Sequence, residues 1–210
     1  MTTRDINKIA ALYLELYKEL GAYEHMTNPE TSAFAMADVD LEYTSCYGEP
    51  DIKKTFEIAF DAPTGVSRNQ IIEIKNVQFF SRCEHHASPM WGLAHYFYIP
   101  DKKVIGLSKI ARAVDWYGKR YQQQEQYTEQ LSEYLWSVIQ PVASVIIMEG
   151  VHMCVGMRGA RSTRTVTSTR TQKVNAELYA SLNGQGGLYH LIKDLLNHQA
   201  TGRTGEVSFL

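Results

Sequence analysis

Residues 70–99 read QIIEIKNVQFFSRCEHHASPMWGLAHYFYI. Two runs rich in β-branched and aromatic side chains, 70–80 and 91–99, have the composition of strands. In the first, the apolar phase moves from Ile72 and Ile74 to Val77 and Phe79, so a bulge is expected near Asn76. CEHH, Cys83 to His86, then falls in the connection between two strands.

Upstream, Ile6, Ile9, Ala10, Tyr13, Leu16, Tyr17 and Leu20 recur at three- and four-residue steps before Gly21, which predicts an amphipathic helix with a glycine stop. From His25 to about Gly65 the pattern is weak and broken by Pro29, Pro50 and Pro63, with a strand expected at TFEIAF, 55–60. Downstream, Ser108 is expected to cap a helix running to about Tyr117 with Ile110, Ala113, Val114 and Tyr117 on one face. A second helix is expected over 122–140, where Tyr127, Leu131, Tyr134, Leu135, Val138 and Ile139 form a stripe that Pro141 ends. VASVIIME, 142–149, reads as a buried strand and TVTSTRT, 165–171, as an alternating one, with helices around 173–182 and 187–198 after them. The order strand–strand–helix–helix–strand–strand argues an α+β domain, with helices layered on one face of an antiparallel sheet.

The chain has 210 residues, 44% of them hydrophobic and 21% charged, which suffices for one sizeable core. A formal net charge of -2 gives no reason to expect nucleic acid or an anionic membrane as a partner. The apolar runs are too short to span a bilayer, and Asp5, Glu15 and Glu19 stand where a signal peptide would be apolar. Cys46, Cys83 and Cys154 are odd in number and widely spaced. A cytoplasmic protein with free or metal-bound thiols is expected, not a disulfide framework.

Cys83 and His86 are two residues apart, a spacing that lets one turn bring a thiolate and an imidazole to one ion. A second pair, His152 and Cys154, lies in GVHMCVGMRG. Alternation along an extended chain would point both to the same side. Cys83, His86 and Cys154 would give zinc three ligands and leave the fourth position for water, and His152 or His85 would close the site instead. His85, adjacent to His86, suits a hydrogen bond to the water or a proton transfer. Taken alone, a C-x-x-H is common by chance. His25, His190 and His198 have no such company and read as surface or capping residues, His95 as core, and Cys46 as a plain thiol.

GLSKIAR places Ser108, Lys109 and Arg112 at a helix start, where free N–H groups and two cations suit phosphate. MRGARSTR adds Arg158, Arg161 and Arg164; for the last two, a solvated charged face is the alternative. Gln124 and Glu125 stand near another helix start, and a carboxylate can accept two parallel N–H bonds from a guanine edge.

In this order and across roughly residues 70–171, CEHH, AHYFYIP, GLSKIAR, QQQEQYTEQL and HMC-x-x-MRG resemble GTP cyclohydrolase I. The resemblance implies a tunnelling-fold domain, a four-stranded antiparallel sheet with two helices on one face. The catalytic domain would be 67–200, after an N-terminal helix and divergent appendage (1–66) and before a mobile tail (201–210). It implies zinc held by Cys83, His86 and Cys154, with the metal-bound water attacking C8 of GTP. His152 would protonate N7, His85 would support the water and later proton transfers, and Ser108 would assist the sugar rearrangement. Gln124 and Glu125 would hold the guanine, and Lys109, Arg112 and Arg158 the triphosphate. The products would be 7,8-dihydroneopterin triphosphate and formate, a first step toward pterins and folate or 7-deazaguanines. The partner would be the chain itself, in a ring-based decamer with sites at subunit interfaces. Residues 22–66 lack the family's Thr-Pro-x-Arg signature, and Ala87 and Ser88 replace bulky apolar residues. Two alternatives stand beside this reading. One is an enzyme that stops at a ring-opened formamide or uses another purine triphosphate. The other is a purine- or pterin-binding protein of the same fold without turnover.

Overall fold

The computed structural model describes residues 4–48, 59–63 and 68–197; His198, the tail 201–210 and most of the strand expected at 55–60 lie outside the described residues. In chain order the elements are α1 (Ile6–Glu19), α2 (Pro29–Tyr43), β1 (Ala59–Asp61), β2 (Ile72–Cys83), β3 (Pro89–Ile99), β4 (Lys103–Ile105), α3 (Leu107–Gly118), β5 (Tyr121–Gln122), α4 (Gln124–Ile139), β6 (Ala143–His152), α5 (Met153–Gly156), β7 (Thr167–Val174), α6 (Ala176–Ser181) and α7 (Gly186–Leu196). Among them no helix is long and apolar enough to cross a membrane.

β2 and β3 pair antiparallel from Ile72 with Tyr98 to Arg82 with Pro89, and the register slips between Ile74 and Val77. Asn76 takes a left-handed φ of 61° there, a conformation asparagine tolerates better than most residues. The bulge read from the apolar phase is present. The sheet runs β5-β2-β3-β6-β7. Four strands are antiparallel, and β5 adds a two-residue parallel edge that sets Gln122 beside Cys83.

Alternation along β3 and β6 sends Tyr96, Tyr98, Ile146 and Met148 to the face where α3 and α4 pack, with Ile110, Tyr127, Leu131 and Leu135 buried between. This is the two-helix layer expected of the tunnelling fold. Phe97, Ile99, Val145 and Ile147 point the other way and meet Ile192 and Leu195 of α7. The sheet is therefore covered on both faces at this end, beyond the one-sided layering read from the sequence.

Two local expectations are corrected. α2 fills a stretch in which only weak pattern was legible. Its buried residues are Pro29, Ala33 and Ala37, of which the two alanines meet Ala10 of α1. Alanine allows close helix approach yet adds little contrast to an apolar stripe, so periodicity did not reveal it. The cap of α3 is Gly106, not Ser108. Because β4 runs to Ile105, the helix begins as soon as one extended residue has passed, and Ser108 lies within its first turn.

Candidate functional site

β3 lies between β2 and β6 and pairs with both, Pro89 opposite Arg82 and Met90 opposite His152. The ends of β2 and β6 are thereby brought to one rim of the sheet. Immediately after His152 the chain enters the single turn α5, so Cys154 is carried on helical backbone and not on the extended strand that the sequence suggested. The donor atoms of Cys83, His152 and Cys154 lie within 4.8 Å of one another. It is the one such trio among the described residues.

Cys83 is buried, and His152 and Cys154 are half-buried. Burial, and then the neighbouring Cys83 thiol, push the Cys154 thiol above its usual pKa. Two thiolates this close repel, and a divalent cation relieves the repulsion. Two sulfurs and an imidazole are a donor set that suits zinc.

The structure brings Cys83 and Cys154 together as expected but seats His152 beside them, with His86 exposed outside the trio. The reason is the connection itself. The Cys83 amide donates to the Ser88 carbonyl at 2.9 Å, and Ala87 turns with φ 50°, which leaves residues 84–87 facing solvent. Glu84 is tied down there, its carboxylate accepting from Gln123 Nε2 at 2.6 Å. His85 is exposed, 3.9 Å from the same carboxylate.

The Gln124 side chain, expected at a guanine edge, is turned into the protein. It is 1% exposed, and its Nε2 donates to the carbonyls of Met148 (3.0 Å) and Thr167 (2.9 Å) and to Thr169 Oγ1 (3.1 Å). Its Oε1 lies 2.8 Å from His152 Nε2. Glu125, one residue on, is exposed; burial lowers the His152 pKa, and the Glu125 charge partly opposes that.

Ser108, Lys109 and Arg112 are not brought to this rim within one chain. Gly118, at the far end of α3, lies so close to the Phe80 carbonyl that an added Cβ would stand 2.5 Å from it. The helix start is roughly 17 Å from Gly118, at 1.5 Å per residue, and follows Ile105, whose amide donates to Tyr98 Oη at the end of the β2–β3 pair opposite Cys83. Arg158 follows α5 and is exposed, as are Arg161 and Arg164.

Two site neighbours escaped the sequence reading. Gln122 is buried and donates to Ser81 Oγ at 3.1 Å and to the Tyr117 carbonyl at 2.5 Å. Gly150 leaves room for the Gln124 amide, since an added Cβ would stand 2.6 Å from Oε1. A glycine inside an otherwise bulky strand is the signal that could have found it.

The sequence matches the family described as GTP cyclohydrolase I over residues 13–181. The GTP cyclohydrolase 1 of Sulfurihydrogenibium sp. (strain YO3AOP1) is 46% identical over 103 residues, 49% of this chain and 55% of that relative. The GTP cyclohydrolase 1 of Campylobacter curvus (strain 525.92) is 44% identical over 113 residues, 54% of this chain and 60% of that relative. The chain thus spans a little over half the length of these relatives. A solved structure, the archaeosine synthase QueF-Like in the apo form, aligns with a TM-score of 0.42 and 14% identity over 49% of this chain and 92% of that one. The family match takes in residues 22–66, the stretch in which the signature motif was not found. With most of its length so matched, the chain belongs to the GTP cyclohydrolase I family.

Proposed function

We propose that the protein converts GTP to 7,8-dihydroneopterin triphosphate and formate, at the head of a route to pterins and folate or to 7-deazaguanines. The observation that carries this reading is the clustering of Cys83, Cys154 and His152 at one rim, with Glu125 close enough for its charge to act on His152. Cys83, Cys154 and His86 would hold zinc, which when bound supplies a water-derived nucleophile near neutral pH.

The chain's own groups do the rest. His152 gives a proton to the purine N7; its lowered pKa makes its charged form the stronger acid. Glu125 accepts the paired N–H groups of the guanine edge, His85 serves later proton transfers, and Ser108 assists the sugar rearrangement. Lys109, Arg112 and Arg158 bind the triphosphate. Since the start of α3 is a helix length from the rim, a second copy of the chain brings Ser108, Lys109 and Arg112 to it. A ring-based decamer is the assembly we propose.

A second reading has an observation in its favour. The 4.8 Å trio contains His152 and not His86, so His152 would be the third metal ligand, and the exposed His85 and His86 would move protons.

The test is anaerobic incubation of zinc-loaded protein with GTP, following formate and the fluorescence of the oxidised pterin, with His152→Ala as control. Formate and pterin together, both lost in the variant, support the proposal. Formate without pterin means that ring closure is missing. Neither product, with GTP retained, points to a ring-opening enzyme that keeps its formamide or to a binding protein, and the mass of the nucleotide separates the two.

A further inference from the structure

We propose that Gln124 is a positioning residue that fixes which nitrogen of His152 carries the proton: Nε2–H is directed at Gln124 Oε1, and Nδ1 is left as the imidazole's only open lone pair.

Gln124 is 1% exposed, so each of its polar atoms must find a protein partner. Its Nε2 faces the carbonyl oxygens of Met148 and Thr167, at 3.0 and 2.9 Å. Carbonyls only accept, so exchanging the amide's oxygen and nitrogen would set oxygen against oxygen twice. The hydroxyls agree with this orientation. Thr128 Oγ1 donates to the backbone carbonyl of Gln124 at 2.8 Å. Its proton is thereby used, so in the 2.6 Å contact with Thr169 Oγ1 it accepts. Thr169 Oγ1 is then free to accept from Gln124 Nε2 at 3.1 Å. Oε1 is therefore an acceptor held 2.8 Å from His152 Nε2, and that nitrogen must donate. Gly150 makes the arrangement possible, because a Cβ there would stand 2.6 Å from Oε1.

The consequence is chemical. A neutral imidazole whose Nε2 donates offers only Nδ1 to a metal or to a proton in transit. That consequence for catalysis rests on the function proposed above; the tautomer itself does not.

The experiment is magic-angle-spinning NMR of chelator-treated, metal-free protein with ring-15N histidine at about pH 8, where the neutral ring predominates. The His152 signals are identified by their loss in His152→Gln. Wild-type protein should show one His152 species, protonated at Nε2 and bare at Nδ1, while Gln124→Leu should show both tautomers. Gly150→Ala, which displaces the amide without removing it, should also show both, and it carries the test should Gln124→Leu fail to fold. A wild-type ring protonated at Nδ1, or a single unchanged Nε2–H species in every folded variant, overturns the proposal. If the protein turns over GTP, Gly150→Ala should lower kcat about 10- to 100-fold with KM nearly constant, whereas a rise in KM alone would restore Gln124 to the guanine edge. Absence of turnover in wild-type protein would count against the proposed function and leave the tautomer result standing.

Discussion

The guanidinium of Arg82, one residue before Cys83, donates to the carboxylate of Asp40 on α2, with the two side chains 11% and 17% exposed. Tyr121 and Tyr13 donate to the same carboxylate, and the Arg82 guanidinium stacks over the Tyr43 and Tyr121 rings. The N-terminal helix pair is thereby fastened to the strand that ends in Cys83.

Removing Asp40 leaves a mostly buried cation without its partner. Asp40→Ala should cost about 3 kcal/mol of stability, while the paired change Asp40→Leu with Arg82→Met should cost less. Urea unfolding of the three proteins checks this. Equal midpoints for wild type and Asp40→Ala would show that the pair holds nothing.

Zinc content separates the two ligand readings. Cys83→Ser and Cys154→Ser should each reduce bound zinc from about one per chain to a small fraction, because two sulfurs anchor either set. If His86 is the third ligand, His86→Ala loses metal and His152→Ala keeps it; the reverse pattern establishes the trio seen in the structure. In both cases zinc affinity should fall with falling pH, since the thiols, one of them with a raised pKa, must release protons to bind. Titration with a competing chelator over a range of pH measures this.

Lys109→Ala should raise KM for GTP about 10- to 100-fold, as loss of a charge-assisted phosphate contact does. Because Lys109 lies in the first turn of α3 and Cys83 near its other end, on β2, the sharper measurement is a mixture. Inactive Cys83→Ser chains reassembled with Lys109→Ala chains should regain activity by pairing intact halves across an interface. A mixture no more active than its parents would place both residues in one chain's site.

His95, 1% exposed, has its pKa held below the ordinary 6.5 by burial and then by Lys75. The unfolded chain therefore binds the proton more readily. The contribution of this histidine is full above about pH 6.5 and is lost as pH falls below it, by up to about 1.4 kcal/mol per pH unit. Glu149, 3.7 Å away and raised by burial, has the opposite sign. Comparing wild type with His95→Gln cancels most of its effect. Between about pH 7.5 and 5.5 the wild-type urea midpoint should fall more steeply than that of the variant, and parallel slopes would refute the assignment.

Local pattern sufficed where burial alternates strongly along the chain. The strands on either side of CEHH, the bulge at Asn76 and the helices before and after Tyr121 were legible because large apolar residues repeat at periods of two or between three and four. α2 was not, since its inner face is alanine. At the site, the kinds of residue present were legible and their partners were not. Cys83 and Cys154 were legible as candidate metal ligands by chemistry alone, whereas the seating of His152 beside them depends on β3 pairing with both β2 and β6. Gln124 reads from the chain as a polar residue at a helix start. Its meeting with Met148, Thr167 and His152 follows only from how α4 lies across β6 and β7, because a hydrogen bond depends on positions and angles that residues distant in sequence acquire only when the sheet forms.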